Sequence, residues 1–241
     1  MVLSRRIKML LGRRPIGTLG VMSGTMAVME DFMWSLVQTV QFNSEFLCQS
    51  NEYVHLMKPS TSFHPSARNQ LAAGFLGEWV LMLDNDHAFD PDLVARMVIL
   101  MKQFDLDVLS GLYRYRVHPY LPVAFYWNEE TQGFVNIAEL DWNAMLQEIP
   151  CVGAGCLLVR RRVFDRIRSE LREAPFDIIH PLSEDFSFFT RLRRLGIKAH
   201  ISPLIESYHL RVHKVSNADY DRDAVVTSPI PSGGEIVAGK R

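Results

Sequence analysis

The chain has 241 residues, is 48% hydrophobic and 22% charged, and carries a formal net charge of −1. This is the composition of a globular chain long enough for one large α/β domain with a sizeable core. Its even charge balance argues against the basic domain that nucleic-acid binding requires. Three cysteines, Cys48, Cys151 and Cys156, form no CxxC pair, which argues against a disulfide framework or structural zinc site and points to a reducing, cytoplasmic setting.

The first 15 residues mix Arg5, Arg6, Lys8, Arg13 and Arg14 with Leu3, Ile7, Met9, Leu10 and Leu11. The apolar stretches are too short for a secretory signal and no run reaches the length of a membrane span. A basic amphipathic segment of this kind either frays in solvent or makes weak contact with an anionic membrane surface.

Ile16 to Ser23 reads as a first strand with glycines at 17 and 20, followed by a Gly24-Thr25 break. A helix follows, with Met29, Phe32, Met33, Leu36, Val37 and Val40 at helical spacing. The break lacks both GxGxxG and GxxxxGK[ST], so neither phosphate-binding fingerprint applies. Tyr53 to Met57 is a second strand. After a loop from Pro59 to Pro65 comes a helix whose apolar set is Ala67, Leu71, Ala72, Phe75 and Leu76. Arg68 and Asn69 stand near its first turn, either solvated or reaching toward a ligand.

The third strand, Trp79 to Leu83, is wholly apolar and stops at Asp84-Asn85-Asp86-His87. In extended chain, residues i and i+2 share a side. Asp84 and Asp86 therefore face one region at the carboxyl end of a strand, where open α/β sheets bind ligands. Two close carboxylates repel unless a cation or proton lies between them, and hard oxygen ligands suit Mg²⁺ or Mn²⁺. The plainer alternative is a turn, with Asp90 or Asp92 capping the next helix. His87 and Asp90 read as structural.

That helix carries Leu93, Met97, Leu100, Met101 and Phe104, and Val108 to Leu112 is a further strand. The strand–helix alternation predicts a mainly parallel central sheet with helices on both faces. From Tyr113 to Leu140 the pattern changes to an aromatic-rich antiparallel excursion, with a hairpin turn at Asn128 to Gly133. Its aromatics serve flat sugar faces or strand packing. Gly153-Ala154-Gly155 then permits close backbone approach, before a strand at Cys156 to Val159 and a helix with Val163, Phe164, Ile167 and Leu171.

The last strong helix opens at Pro181 to Phe189. Ser183 is its natural N-cap, and Glu184 and Asp185 in its first turn either complement the helix dipole or supply a base. Lys198 to Ile201 and Ser207 to His213 are short segments, the second placing His209 and His213 at i, i+4. The polar stretch 214–241 reads as a loosely ordered tail after a domain spanning 16–213.

Taken in order, Ser66-Ala-Arg-Asn69, Leu83-Asp-Asn-Asp86, Gly153-Ala-Gly155, Glu184-Asp185 and His209 resemble the family 2 glycosyltransferases of the GT-A fold, especially short bacterial and phage-type members. The resemblance covers roughly residues 16 to 213. It implies a hexosyltransferase-type enzyme with a nucleotide-sugar donor, a glycan or other hydroxyl-bearing acceptor, a Mn²⁺ or Mg²⁺ cofactor and inversion at the anomeric carbon. By the same resemblance Asp86 and His209 hold the metal, and Asp84 contacts the donor or the metal's shell, with Arg68 and Asn69 nearby. Asp185 is the base, Glu184 orients the acceptor, and Gly153, Ala154 and Gly155 border the acceptor pocket.

The family's Asp pair after the second strand is replaced here by Leu56-Met-Lys-Pro-Ser60, and its Pro-x-Tyr-Asn by Val21-Met-Ser-Gly24. Both departures touch base recognition. A sugar-phosphate nucleotidyltransferase and a non-catalytic carbohydrate- or nucleotide-binding module stand as alternatives. The first calls for a basic residue in the first Gly-rich loop, and Gly17 to Thr25 has none.

Overall fold

The computed structural model describes residues 13–23, 29–47, 49–131, 133–137 and 139–211. Most of the basic N-terminal segment, the Gly24-Thr25 break, Cys48, His213 and the 214–241 stretch lie outside the described residues. The chain divides after Leu210, and the architecture that follows is that of the part up to that residue.

Strand β1 (Arg14–Met22) leads to helix α1 (Glu30–Phe46), then to β2 (Glu52–Met57), α2 (His64–Gly74), β3 (Trp79–Asp84) and the short β4 (His87–Phe89). Next come α3 (Leu93–Gln103) and β5 (Val108–Leu112). The excursion supplies β6 (Ala124–Asn128), β7 (Gly133–Asn136), β8 (Gln147–Ile149) and β9 (Cys151–Val152). The chain then returns through β10 (Cys156–Arg160), α4 (Arg161–Arg166) with a π-helical turn at Ile167–Leu171, α5 (Glu184–Arg194) and β11 (Ala199–His209).

The main sheet has the order β2-β1-β3-β10-β5-β11-β4, with β8 also paired to β11. β2, β1, β3, β5 and β11 run in one direction; β10 runs against them between β3 and β5. The hairpin expected around 128–133 forms, and β7, β6 and β9 make a small antiparallel sheet beside the main one. The two segments expected near 198–201 and 207–213 are one eleven-residue strand, β11. Its register shifts between Ser202 and Glu206, so one strand pairs β5 along its length and β4 at its end.

The unbroken apolar run of β3 has a direct cause. Successive side chains alternate between faces, and helices cover both. Val80 and Met82 pack with Leu71, Phe164 and Phe188 on one side, while Trp79, Leu81 and Leu83 pack with Phe32, Leu93 and Met97 on the other. A strand buried on both faces must be hydrophobic throughout. Gly17 belongs to this packing, since a Cβ there would overlap the Trp79 ring.

Helix α1 departs from its apolar pattern. It turns Phe32, Ser35, Thr39 and Asn43 inward and leaves Met33, Val37 and Val40 exposed. Two of the inward polar groups are satisfied: Ser35 Oγ accepts the Phe89 amide at 3.1 Å, and Asn43 Nδ2 donates to the Thr39 carbonyl at 2.7 Å. Among the described residues no helix is long and apolar enough to cross a membrane.

Candidate functional site

β3 runs out at Asp84, whose amide donates to the Gly155 carbonyl at 3.0 Å. Asn85 and Asp86 make a turn, and the chain re-enters the sheet as β4. β4 is antiparallel to the end of β11, with His87 opposite His209 and Phe89 opposite Ser207. The Leu210 amide donates to the Asp86 carbonyl at 2.7 Å and locks this register. Strand pairing thus delivers Asp86, His87 and His209 to one point, and their ligand atoms all lie within 4.8 Å of one another.

Each imidazole is oriented from behind. His209 Nδ1 lies 2.9 Å from the Arg114 carbonyl, which can only accept, so Nδ1 carries the proton. Its Nε2 then faces Asp86 Oδ2 at 3.5 Å. His87 is 1% exposed, its Nδ1 is 2.7 Å from the Ser207 hydroxyl, and its Nε2 lies 3.8 Å from Asp86 Oδ1. Burial pulls the His87 pKa down to about 4, so the ring is neutral near pH 7. For Asp86, burial disfavours the charge. In the acid range where a carboxylate titrates, the His209 hydrogen bond and the positive potential of His87, His209 and Arg116 outweigh it, and its pKa falls below the usual carboxylate value.

A second group is built around Arg68, which is 2% exposed. α2 carries it across the end of the sheet. There Nη2 donates to both Asp84 oxygens at 3.0 and 3.3 Å, Nη1 to the Ala154 carbonyl at 2.8 Å, and Nε to Glu184 Oε1 at 3.4 Å. His64 adds a contact to Glu184 at 3.7 Å. Burial opposes ionisation of Glu184, yet the His64 hydrogen bond and the Arg68 charge hold its pKa down to about 2.

Asp185 sits one residue further along, at the start of α5. The expected capping role of Ser183 is not taken up: its hydroxyl bonds the Asp185 carboxylate instead of a backbone amide. The Asp185 carboxylate also accepts its neighbour's amide, from Phe186, at 2.8 Å. Burial, reinforced by the Glu184 charge, raises the Asp185 pKa above the ordinary value despite these bonds. That places it nearer the working range of a general base.

The remaining expected residues fall as follows. Asn69 turns to the 176–177 loop, accepting the Phe176 amide and donating to Asp177, each at 2.9 Å. Gly153, Ala154 and Gly155 are all buried. A Cβ on Gly153 would overlap the Tyr113 hydroxyl, and one on Gly155 would lie 2.8 Å from His87 Nε2. The two glycines make room for Tyr113, whose hydroxyl accepts the Gly155 amide at 3.1 Å and whose ring packs edge-on against His87. Of the excursion's aromatics, Phe125 and Phe134 pack against Phe186, whereas Tyr115, Tyr120 and Tyr126 are exposed.

Sequence reasoning passed over His87 and Arg116. The signal for His87 was the pairing of two short apolar-flanked segments, His87-Ala-Phe89 and Ser207-Tyr-His209. Arg116, whose Nη1 lies 3.1 Å from Asp86 Oδ2, left no signal, because it reaches the site from an irregular loop.

The sequence matches glycosyl transferase family 2 over residues 38–168, more than half of the chain, and the protein belongs to that family. Its fold is GT-A-like. Among solved structures it is similar to GalNAc-T7 crystallised with UDP, GalNAc and Mn²⁺, with a TM-score of 0.56 and 12% identity. That match covers 81% of this chain and 44% of the other, so this chain spans less than half the length of its solved neighbour. Comparison with curated proteins gave no match.

Proposed function

We propose that this protein transfers a sugar from a nucleotide-sugar donor to an acceptor hydroxyl, using a divalent cation and a carboxylate base. The observation that carries the reading is the meeting of Asp86 with His209 and His87 at the carboxyl ends of the strands. One carboxylate and imidazole nitrogens suit Mn²⁺ better than Mg²⁺, which favours an all-oxygen shell. Asp86 and the His209 Nε2 lone pair are the first ligands, with His87 Nε2 beside them. A cation held there stabilises the negative charge that develops on a departing diphosphate.

The other roles follow from what each carboxylate already does. Asp84 is neutralised by Arg68 and serves to fix the Asp86 turn and the donor side of the site. Glu184 is engaged by Arg68 and His64, which leaves Asp185 as the carboxylate able to take a proton from the acceptor. Among the described residues, Asp84 and Glu184 are engaged by Arg68 and Asp185 alone is left as a base, which favours direct displacement with inversion. Buried, unpaired Cys151 and Cys156, whose thiol pKa values burial raises, fit a reducing compartment such as the cytoplasm.

The neighbour's ligands make UDP-sugars the first donors to try. The test is a panel of UDP-, GDP-, CMP- and dTDP-sugars with and without Mn²⁺, assayed for donor hydrolysis and transfer. Activity that requires Mn²⁺ and is lost in Asp86→Ala supports the reading. Equal activity in Asp86→Ala, or in the absence of any divalent cation, overturns it.

A further inference from the structure

Helix α1 turns three polar side chains inward, and Thr39 differs from the other two. It is 0% exposed, yet its hydroxyl has no hydrogen-bond partner. Arg13 carries a second unmet group. Its Nη2 donates to the Leu47 carbonyl at 3.3 Å and to the Glu52 carbonyl, but its Nε–H is buried without a partner. Among the described residues no carboxylate pairs with this guanidinium, and the Glu52 side chain turns to Arg14 instead.

Both groups line one cavity of about 170 Å³, set between the C-terminal half of α1 and the edge strand β2. Leu19, Val40, Val54 and Leu56 give it an aliphatic wall. Arg13 precedes the start of β1, whereas Asp84 pairs with Met22 at its far end, so this cavity is separate from the Asp86 cluster.

A donor and a cation left unmet away from water are each costly. Water answers them poorly. A space of this size takes about five molecules, each wanting two to four polar partners, and the aliphatic wall offers none. What is missing is a group with anionic oxygens at one end and a hydrocarbon body at the other. Arg13 Nε–H can only donate and the Thr39 hydroxyl is able to, and a carboxylate accepts from both. The volume sets the size of the body, since an apolar cavity of about 150 Å³ accepts benzene.

We propose that the α1–β2 cavity binds a small carboxylate with an aliphatic or aromatic body, of the size of hexanoate or benzoate, held by Arg13 and Thr39. The bound molecule ties the C-terminal half of α1 to the edge of the sheet and stabilises the folded chain by mass action.

The test uses the whole chain with neither Mn²⁺ nor a nucleotide sugar, so its result is independent of the glycosyltransferase reading. Sodium hexanoate and sodium benzoate are titrated into isotope-labelled protein, followed by amide chemical shifts and thermal unfolding, with 1-hexanol and inorganic phosphate as comparators. Shifts are expected at Thr39, Val40 and Val54, with a melting temperature that rises with carboxylate concentration. Hexanoate should bind about tenfold more tightly than 1-hexanol, the effect of a charge-assisted hydrogen bond. Thr39→Val keeps the side-chain shape without the hydroxyl and should weaken hexanoate about 2- to 10-fold; Arg13→Met should weaken it about tenfold or more. No shift at these amides with either carboxylate leaves water as the occupant and overturns the site. Binding of 1-hexanol as tight as that of hexanoate overturns the anionic class, and binding of phosphate as tight overturns the hydrocarbon body. Unchanged hexanoate affinity in Thr39→Val places the binding elsewhere, and this variant decides the matter even where Arg13→Met fails to fold.

Discussion

Arg68 Nη2, buried at the end of β3, lies 3.0 and 3.3 Å from the two oxygens of the half-buried Asp84. It pairs the first aspartate of the Asp-Asn-Asp turn with a guanidinium, while the second faces the histidines. Arg68 also donates to Glu184, 116 residues away in sequence, so one guanidinium joins the end of β3 to the start of α5, the helix that carries the proposed base.

Replacing Arg68 by Met should therefore cost far more than a surface ion pair. It strands two partly buried carboxylates, and breaking such a pair typically costs about 3–5 kcal/mol. Urea denaturation should show this loss, and Asp84→Asn with Glu184→Gln in the Arg68→Met background should recover part of it. A loss below about 1 kcal/mol would mean that water replaces the guanidinium without penalty.

Gly155→Ala and Gly153→Ala test the support behind the imidazoles. The new methyl group at position 155 meets His87 Nε2, and at position 153 it overlaps the Tyr113 hydroxyl. Overpacking of this kind costs about 1–3 kcal/mol. Both variants should melt lower, and Gly155→Ala should also bind Mn²⁺ more weakly than wild type by calorimetry. Unaltered Mn²⁺ affinity in Gly155→Ala would detach His87 from the metal site.

Stability should respond to acid through Glu184. Its folded-state pKa of about 2 lies below the 4.5 of the free side chain, so between those values the unfolded chain binds more protons. The contribution is present above pH 4.5 and is lost as pH falls toward 2; at 1.36 kcal/mol per unit it amounts to about 3 kcal/mol at most. His64 works in the opposite direction. Its pKa is raised by the Glu184 hydrogen bond against the pull of burial, so its contribution is present below pH 6.5 and lost as pH rises through the folded value. Denaturation at a series of pH values should show Glu184→Gln flattening the acid limb. The same limb in wild type and variant would rule out the assignment.

Activity should carry the signature of Asp185. Its raised pKa places the acid limb of kcat/KM above pH 3.8, the ordinary aspartate value. The Ser183 hydroxyl favours the ionised form, so Ser183→Ala should move that limb to higher pH while leaving the plateau nearly intact. Asp185→Asn should lower kcat by about 10²- to 10⁴-fold, the usual contribution of a general base. If Ser183→Ala leaves the limb in place, another group controls it.

Much of this was legible in the residues. Apolar periodicity marked β1, β2, β3, β5 and β10, and the abrupt end of β3 at Asp84 drew attention to the turn that carries Asp86. The family resemblance then pointed to Asp86 and His209. Strand partners were not legible, because alternation says that a strand is buried and not what lies beside it. β10 running against its neighbours, the short β4, and the union of the last two segments into β11 are all matters of pairing. His87 was hidden for that reason, since its position opposite His209 exists only in the ladder. The inward face of α1 was hidden for another: Ser35 and Asn43 are buried because hydrogen bonds satisfy them, which hydrophobicity alone cannot register.

The β4–β11 ladder also sets when the site comes into being. Among the described residues β11 is the last strand, and His209 is its final residue. Asp86, His87 and Arg116 all precede it, and none of them meets His209 until that strand has docked along β5. Divalent-ion affinity at the proposed site should thus arise late in folding, as a reporter of the closed sheet, and a chain ending before Ala199 should lack that affinity however much of its earlier structure forms.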